Sequence, residues 1–272
     1  MTPVAPSGET STTSAQHGTR GRLGGVGIEV GPFPAGAGFE RLAAFAADAE
    51  AAGLDTLWLR GAQVARALDP LTLAGALSEV TRTLVLGVVA TLPDGRNPSV
   101  LARDLTTLDV VSGGRAAVCI EGEPGMLAEA AVVLSRLFSG RPASFSGVHF
   151  ALHDAPNRPG PDQPGGPPIM VALPEGGLGA LAADEVAREC GAAVAAWVAD
   201  VAPEALAVLR DERTTAMAML GATAPPQLLW RGPPAAAVAG RPQADGIIWR
   251  LGWPDEHAAL PDLGLLERLA AR

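Results

Sequence analysis

Three apolar segments of the chain end in arginine, the side chain best suited to holding an anionic group. The segments read LWLR up to Arg60, LLWR up to Arg231 and IIWR up to Arg250. A guanidinium presents five donors in a planar fork that matches a carboxylate or a phosphate. If the segments are neighbouring parallel strands, the sequence predicts a substrate- or anion-binding site made by these arginines, with Glu29 as a possible ion-pair partner. The alternative is that some of these arginines point outward, because successive side chains of a strand point to opposite faces.

A fourth apolar segment ends in two carboxylates, Glu121-Gly122-Glu123. Removal from water raises the pKa of a carboxyl group, which can then act as a proton donor. Glu123 is the candidate catalytic residue, and the alternative is that both carboxylates are solvated loop groups.

A glycine pair precedes a predicted helix after the fifth strand, at Gly176-Gly177. Free backbone N–H groups at a helix start can hold a phosphate, so the pair is a candidate cofactor-binding site. Two glycines before a helix are common, and the neighbouring Glu175 would repel a phosphate.

Composition limits the range of partners and compartments. The net charge is −9 and every cation is arginine, with no basic run, so nucleic acid and anionic membranes are not expected partners. Cys119 and Cys190 lie in apolar surroundings without metal-ligand spacing, which predicts buried thiols, no metal site and a reducing, cytoplasmic location. Neither a nucleophile elbow nor a zinc motif nor a phosphate-binding P-loop is present. No charge-free apolar stretch reaches membrane-spanning length.

Strands and helices alternate eight times between residues 25 and 272, which predicts an α/β fold of the closed (β/α)8 barrel type. The clearest unit is an apolar strand ending at Ala90, a helix capped by Asn97 with Pro98 in its first position, and an immediate second strand after Gly113-Gly114. A proline- and glycine-rich insert at about 141–167 separates the fourth helix from the fifth strand.

The alternative fold is an open doubly wound sheet. It would need a glycine-rich fingerprint after its first strand, and Gly31-Pro32-Phe33-Pro34 is not one. Residues 1–24 have no apolar periodicity and are predicted to be a disordered tail, with one barrel domain over 25–272.

The order of several short motifs resembles that of the bacterial luciferase-like flavin and deazaflavin oxidoreductases, from about residue 38 to 169. The motifs are Leu86-Gly87 in a strand, Asn97-Pro98 at a helix start, Ser112-Gly113-Gly114-Arg115 before the next strand, Asp69-Pro70 one unit earlier and Pro167-Pro168-Ile169 later. The resemblance implies a TIM barrel that binds FMN or the deazaflavin coenzyme F420 and acts on a small organic substrate by reduction or monooxygenation.

The resemblance also implies sites for the cofactor. In the family a backbone bulge supports the cofactor ring at the position of Val89 and Ala90. A glycine-rich segment with an acid corresponds to Glu121, and the cofactor phosphate lies against the position of Gly176 and Gly177. A homodimer is expected through helices two and three, whose small or apolar positions taken as outward are Leu73, Ala74, Leu77, Ala102 and Thr106.

Two departures from the family pattern favour an alternative function. The histidine that commonly follows the second strand is replaced by Ala62, and the long excursion after the seventh strand is absent. His149 and His153 lie in the insert, where exposed histidines are expected. The alternative is therefore a catalytically degenerate paralogue that binds cofactor or serves a structural or partner role.

Overall fold

Eight parallel strands form a closed barrel in the computed structural model, with helices on the outside. The structure describes residues 23–61, 67–92, 97–173, 185–220, 226–234, 242–252 and 262–271. The strands are β1 Val26–Gly31, β2 Thr56–Arg60, β3 Val85–Thr91, β4 Ala116–Glu121, β5 Ala143–Ser146, β6 Ala151–Ala155, β7 Ile169–Ala172, β8 Val194–Ala199, β9 Gln227–Gly232 and β10 Gly246–Gly252. The helices are α1 Phe39–Ala51, α2 Pro70–Leu77, α3 Pro98–Ser112, α4 Pro124–Phe138, α5 Glu185–Ala193, α6 Leu206–Leu220 and α7 Leu263–Ala270.

The barrel closes in the order β1-β10-β9-β8-β7-β4-β3-β2, and β5 and β6 form a separate antiparallel pair. This arrangement confirms the predicted (β/α)8 fold with an insert between the fourth helix and the next barrel strand. Residues 1–22 of the predicted tail, the residues from Gly176 to Leu178, Ala62 and most of the seventh helix predicted at 233–239 lie outside the described residues. Leu23, which the sequence assigned to the tail, is instead buried in the barrel interior.

Helix boundaries follow the local signals in the sequence. The side chain of Asn97 accepts a hydrogen bond of 2.9 Å from the Ser99 N–H at the start of α3, and Asp69 accepts one of 2.9 Å from Thr72 at the start of α2. Gly113 ends α3 with a φ of 67°, a left-handed conformation that glycine adopts without steric cost. These predictions are confirmed.

Side chains of alternating residues fill the inside of the barrel. The interior cluster includes Trp58, Val89, Leu229 and Ile248, while the larger cluster lies between strands and helices. A Cβ on Gly87 would lie 2.2 Å from the Trp58 ring, so the indole occupies the space that any larger residue there would need. This layer supports the carboxyl ends of the strands from below.

One buried carboxylate fixes the insert to α4. Glu129, only 5% exposed, accepts hydrogen bonds from three consecutive backbone N–H groups, those of Val148, His149 and Phe150, at 2.7–2.9 Å. The β5–β6 hairpin therefore packs on the outside of α4. His149 and His153 are both exposed, as expected.

The second part of the insert covers one flank of α3. Asn157 donates to the Thr106 hydroxyl at 2.9 Å, and the Gln163 side chain donates to Asp109 at 2.6 Å and to the Ala116 carbonyl at 2.8 Å. Because Ala116 begins β4, this segment lies at the amino-terminal end of the barrel. It is thus remote from the carboxyl ends, where barrel enzymes carry their sites.

The prediction of which residues form the dimer surface is wrong. None of the five is more than 6% exposed, so they pack within the chain: Leu73, Ala74, Leu77, Ala102 and Thr106. Helices α2 and α3 pack against each other, and Asn157 covers Thr106 from the other side. The exposed face of α3 instead carries Val100 and Val111.

Candidate functional site

The three predicted arginines converge at the carboxyl ends of the barrel strands, together with three carboxylates. Ion pairs link the six residues, which we call the mouth network: Glu29, Arg60, Glu121, Asp200, Arg231 and Arg250. Trp58, Leu229 and Ile248, each two residues before an arginine, line the barrel interior. Strand alternation therefore directs all three arginines inward rather than toward the helices.

Arg231 is the centre of the mouth network, with a side chain only 2% exposed. Its Nε and Nη2 donate to the two oxygens of Asp200 at 2.7 and 2.6 Å, Nη1 donates to Glu29 at 3.0 Å, and Nη2 also donates to Glu121. Burial alone would lower the pKa of Arg231, but the bonds to Asp200 and the surrounding carboxylates raise it further above its ordinary value. This guanidinium is permanently charged and donates from all three of its nitrogens.

Arg60 joins the other two carboxylates of the network. Its Nε donates to Glu29 at 2.7 Å, and its Nη1 and Nη2 donate to the two Glu121 oxygens at 2.6 and 2.7 Å. Burial would raise the pKa of Glu121, but the hydrogen bonds from Arg60 and the charge of Arg231 outweigh it and lower that pKa to about 2. Glu121 is thus ionised near neutral pH and accepts hydrogen bonds there rather than donating a proton.

Arg250 is the least engaged arginine of the network, with a side chain 40% exposed. Its Nη2 lies 2.8 Å from Asp200, while its Nε lies 3.5 Å from Glu29. This Nε atom is buried and has no hydrogen-bond partner among the described residues. Arg250 therefore keeps donor capacity that the mouth network does not use.

A cavity of about 480 Å³ lies at the mouth of the barrel. One wall is charged and consists of Arg60, Glu121, Asp200 and Arg250. The other wall is uncharged and consists of Gly122, Ala172 and Leu173. Gly122 has a φ of 152°, and a Cβ there would meet the Leu92 carbonyl oxygen at 2.5 Å, so only glycine fits this edge of the cavity. Such a volume and such a mixed lining are typical of small-molecule sites.

The other predicted residues lie in different surroundings. Val89 is buried inside the barrel and Ala90 packs toward the helices. Pairing between β3 and β4 continues without interruption from Leu86 to Thr91, so β3 shows no bulge at this point. Glu123 is exposed just before α4 and does not line the cavity.

Sequence reasoning missed Asp200, which holds Arg231 and Arg250. A signal was present, because Val198 and Asp200 continue the same alternation that places arginines at the ends of the other strands. Cys119, two residues before Glu121, is buried, and burial raises the pKa of its thiol to about 12. It is thus a protonated core residue rather than a nucleophile.

A family comparison agrees with this architecture. Residues 13–202 match the model of the luciferase-like monooxygenases, which is more than half of the chain. The chain belongs to the luciferase-like monooxygenase family. The comparison with curated protein sequences finds no match.

Solved structures of similar fold are found among flavin- and deazaflavin-dependent enzymes. A coenzyme F420-dependent tetrahydromethanopterin reductase from Methanopyrus kandleri superposes with a TM-score of 0.62 at 15% identity, covering 77% of this chain and 65% of the other. An F420-dependent secondary alcohol dehydrogenase gives 0.60 at 18%, covering 77% and 70%. The oxygenating constituent of 3,6-diketocamphane monooxygenase from Pseudomonas putida, in complex with FMN, gives 0.60 at 17%, covering 77% and 67%. The luciferase-like chain thus spans about two thirds of their length.

Two further properties concern the described residues of this luciferase-like chain. They contain no group of three or more His, Cys, Asp or Glu side chains placed to hold a metal ion. None of their helices has the length and apolar character needed to cross a bilayer.

Proposed function

We propose that the protein is an oxidoreductase that binds FMN or coenzyme F420 at the barrel mouth and reduces or oxygenates a small organic substrate. The cavity of about 480 Å³ at the carboxyl ends of the strands carries this proposal, together with membership of the luciferase-like family. The three solved proteins of similar fold bind or depend on one of these two cofactors, which supports the proposal.

The lining of the cavity suits a fused-ring cofactor. Ala172 and Leu173 offer an apolar surface for a flat ring, and Arg60 and Glu121 offer polar groups to the hydrogen-bonding edge of such a ring. When bound, the cofactor would supply the hydride or oxygen chemistry, and the protein would supply position and electrostatics. The rigid ion pairs of Arg60 hold these polar groups in place before any ligand arrives.

Several predicted roles remain part of this proposal. Val89 and Ala90 would support the ring only through the backbone of β3, which has no bulge there. Gly176 and Gly177 would contact the cofactor phosphate, and Glu123 would donate a proton from the edge of the mouth. Glu123 is exposed and would have to turn toward the cavity. Arg60, Arg231 and Arg250 would form the substrate- or anion-binding site.

Reduction or oxygenation fits the residues better than alcohol oxidation. The family's histidine base is replaced by Ala62, and general-base assistance is worth about a hundredfold to ten-thousandfold in rate. A reductase depends mainly on orientation and a proton source. The second candidate, a degenerate paralogue, is favoured by the same replacement and predicts cofactor binding without turnover.

Cofactor titration tests the proposal. We expect FMN or coenzyme F420 to bind the purified chain with a change in cofactor fluorescence. Leu173→Asp should weaken this binding by about tenfold or more, because it places a charge against the ring; a tenfold change corresponds to about 1.4 kcal/mol. Val148→Asp is the matched control, because Val148 is 90% exposed on the insert hairpin. Absence of binding of both cofactors to the wild type would refute the proposed function, whereas binding without turnover on enones or alcohols would favour the paralogue.

We also propose that the chain forms a homodimer through the outer faces of α2 and α3. Val100 and Val111 lie on one exposed stripe of α3, and Thr72 and Ala76 are exposed small residues on α2. Light scattering at micromolar concentration should give twice the mass of one chain. Val111→Arg should shift this mass toward one chain, and Val148→Arg on the hairpin should not. A monomeric wild type would contradict the dimer.

The proposed location is the cytoplasm, a reducing compartment. It is supported by the two free thiols, Cys119 and Cys190, which are both buried and unpaired.

A further inference from the structure

We propose that the cavity at the barrel mouth takes a substrate with a carboxylate group, and that Arg250 is the residue that binds this carboxylate. This inference rests on the proposed function, because it names the substrate class of the same cavity. It follows from the donors and acceptors that the mouth network already uses.

Each carboxylate of the mouth network already accepts hydrogen bonds from the arginines. Glu29 accepts hydrogen bonds from Arg60 Nε, Arg60 Nη2 and Arg231 Nη1. Glu121 accepts two from Arg60 and one from Arg231. Asp200 accepts two from Arg231 and lies 2.8 Å from Arg250 Nη2. A ligand amine or hydroxyl would therefore compete with guanidinium donors that are already in place.

The unused capacity of the network lies among its donors. Arg60 and Arg231 each donate from all three of their nitrogens. Arg250 is in contact with the network at Nη2, and its buried Nε lacks a hydrogen-bond partner in the described part of the chain. Nε faces Glu29 at 3.5 Å, whereas the Arg250 side chain as a whole is 40% exposed and lines the cavity, so a ligand acceptor would reach its Nη groups rather than Nε.

Charge then distinguishes a carboxylate from a phosphate. The mouth network contains three guanidinium groups and three carboxylates, so its formal charge is zero and it does not repel a monoanion. A phosphate ester carries about −1.5 to −2 charges near neutral pH. Such a group would meet the side chain of Asp200, which is 37% exposed beside Arg250. The site is therefore better suited to a single negative charge.

The remaining wall defines the rest of the substrate. Ala172 and Leu173 face the cavity without polar side-chain atoms, opposite the charged residues. Because the proposed cofactor ring would cover part of this wall, a compact apolar body attached to the carboxylate would pack against the ring and the remainder of the wall. The substrate class is thus a small monocarboxylic acid with an apolar body.

Direct binding measurements test this assignment without requiring turnover. Benzoate, benzamide and inorganic phosphate are titrated into the full chain, with and without saturating cofactor, and binding is followed by calorimetry or by protein NMR shifts. We expect benzoate to bind at least about tenfold more tightly than benzamide or phosphate, a difference of about 1.4 kcal/mol. Arg250→Gln should remove most of this preference, and Arg250→Lys should restore part of it by returning the charge without the fork.

The controls separate binding from folding. Arg141→Gln removes an exposed arginine that lies outside the cavity and should leave benzoate binding unchanged. Circular dichroism checks that each variant is folded, and where the Gln variant unfolds, Arg250→Lys provides the comparison.

Each outcome distinguishes the two proposals. Equal affinity for benzoate and benzamide, no benzoate binding, tighter phosphate binding, or benzoate affinity that Arg250→Gln and Arg250→Lys leave unchanged would each overturn the carboxylate assignment. Benzoate binding that depends on Arg250 in a chain that binds neither cofactor would support the carboxylate site and refute the proposed function. Cofactor binding without benzoate binding would do the reverse.

Discussion

Replacement of Arg231 by Met should lower the free energy of unfolding by about 3 to 5 kcal/mol, the cost of removing one partner from a buried ion pair. The side chains of Arg231 and Glu29 are each only 2% exposed, so the substitution leaves the Glu29 carboxylate inside the barrel with Arg60 at 2.7 Å and Arg250 at 3.5 Å as its remaining partners. Urea unfolding followed by circular dichroism measures the loss. In a thermal melt the same loss should appear as a shift of about 10 °C.

The double variant Arg231→Met/Glu29→Gln isolates the cause of this loss. It removes the stranded negative charge, so it should recover part of the stability that Arg231→Met loses. Arg141→Met, which removes an exposed arginine, should change stability by less than about 0.5 kcal/mol. A loss below about 1 kcal/mol for Arg231→Met would show that the mouth network is not a stabilising unit.

The stability of the protein should fall in acid because of Glu121. The pKa of Glu121 in the folded chain is about 2, against an ordinary value of 4.5, because the hydrogen bonds from Arg60 and the charge of Arg231 outweigh the opposing effect of burial. A carboxyl group with a lowered pKa stabilises the fold above its unfolded pKa, and this contribution is lost as the pH falls through the folded pKa. The window is therefore pH 4.5 to 2. At 1.36 kcal/mol for each pKa unit, the contribution is about 3 kcal/mol.

Glu121→Gln should remove this part of the pH dependence. The variant should be less stable than the wild type at pH 7, and the two stabilities should converge as the pH falls toward 2. Glu79 is an exposed carboxylate after α2, and Glu79→Gln should lose stability between pH 4.5 and 2 as the wild type does. If Glu121→Gln loses as much stability as the wild type between pH 4.5 and 2, the assignment of this effect to Glu121 is contradicted.

Local signals made the barrel predictable from the sequence. Asp69 and Asn97 cap the helices that follow them, and Gly113 ends α3, so each unit carried its own boundary. The continuous apolar runs that end at Arg60, Arg231 and Arg250 were sufficient to place the three guanidinium groups at one end of the sheet. Their orientation remained open until the barrel register showed that residues two positions earlier lie inside.

Contacts between distant segments were not predictable from these signals. Periodicity in α3 identified one buried stripe but not the second flank, where Thr106 and Asp109 are covered by Asn157 and Gln163 of the insert. Helical spacing does not show what packs on a flank from about fifty residues away in sequence. Thr106 was assigned to the dimer surface for this reason, whereas Leu73, Ala74 and Leu77 of α2 are buried in the main hydrophobic cluster.

The electrostatics of the mouth were also hidden from the sequence. Three arginines suggested an excess of positive charge, but the lumen brings Glu29, Glu121 and Asp200 within hydrogen-bond distance of them. The pairing of Glu29 with these arginines was predicted and is confirmed, but the pairing of Glu121 and Asp200 with the same arginines depends on distances across the barrel. Asp200 lies just after β8, where the alternation with Val198 indicates an inward side chain but does not identify Arg231 and Arg250 as its partners.

The mouth network also determines how the barrel can open. Its six side chains come from β1, β2, β4, β9, β10 and the residue after β8, and Arg231 connects β9 across the lumen to Glu29 on β1 and Glu121 on β4. The carboxyl end of any one of these strands cannot separate without breaking an ion pair on another, so fraying becomes a collective event. Hydrogen–deuterium exchange of the last amides of β1, β2 and β4 should therefore be as slow as exchange at the strand centres.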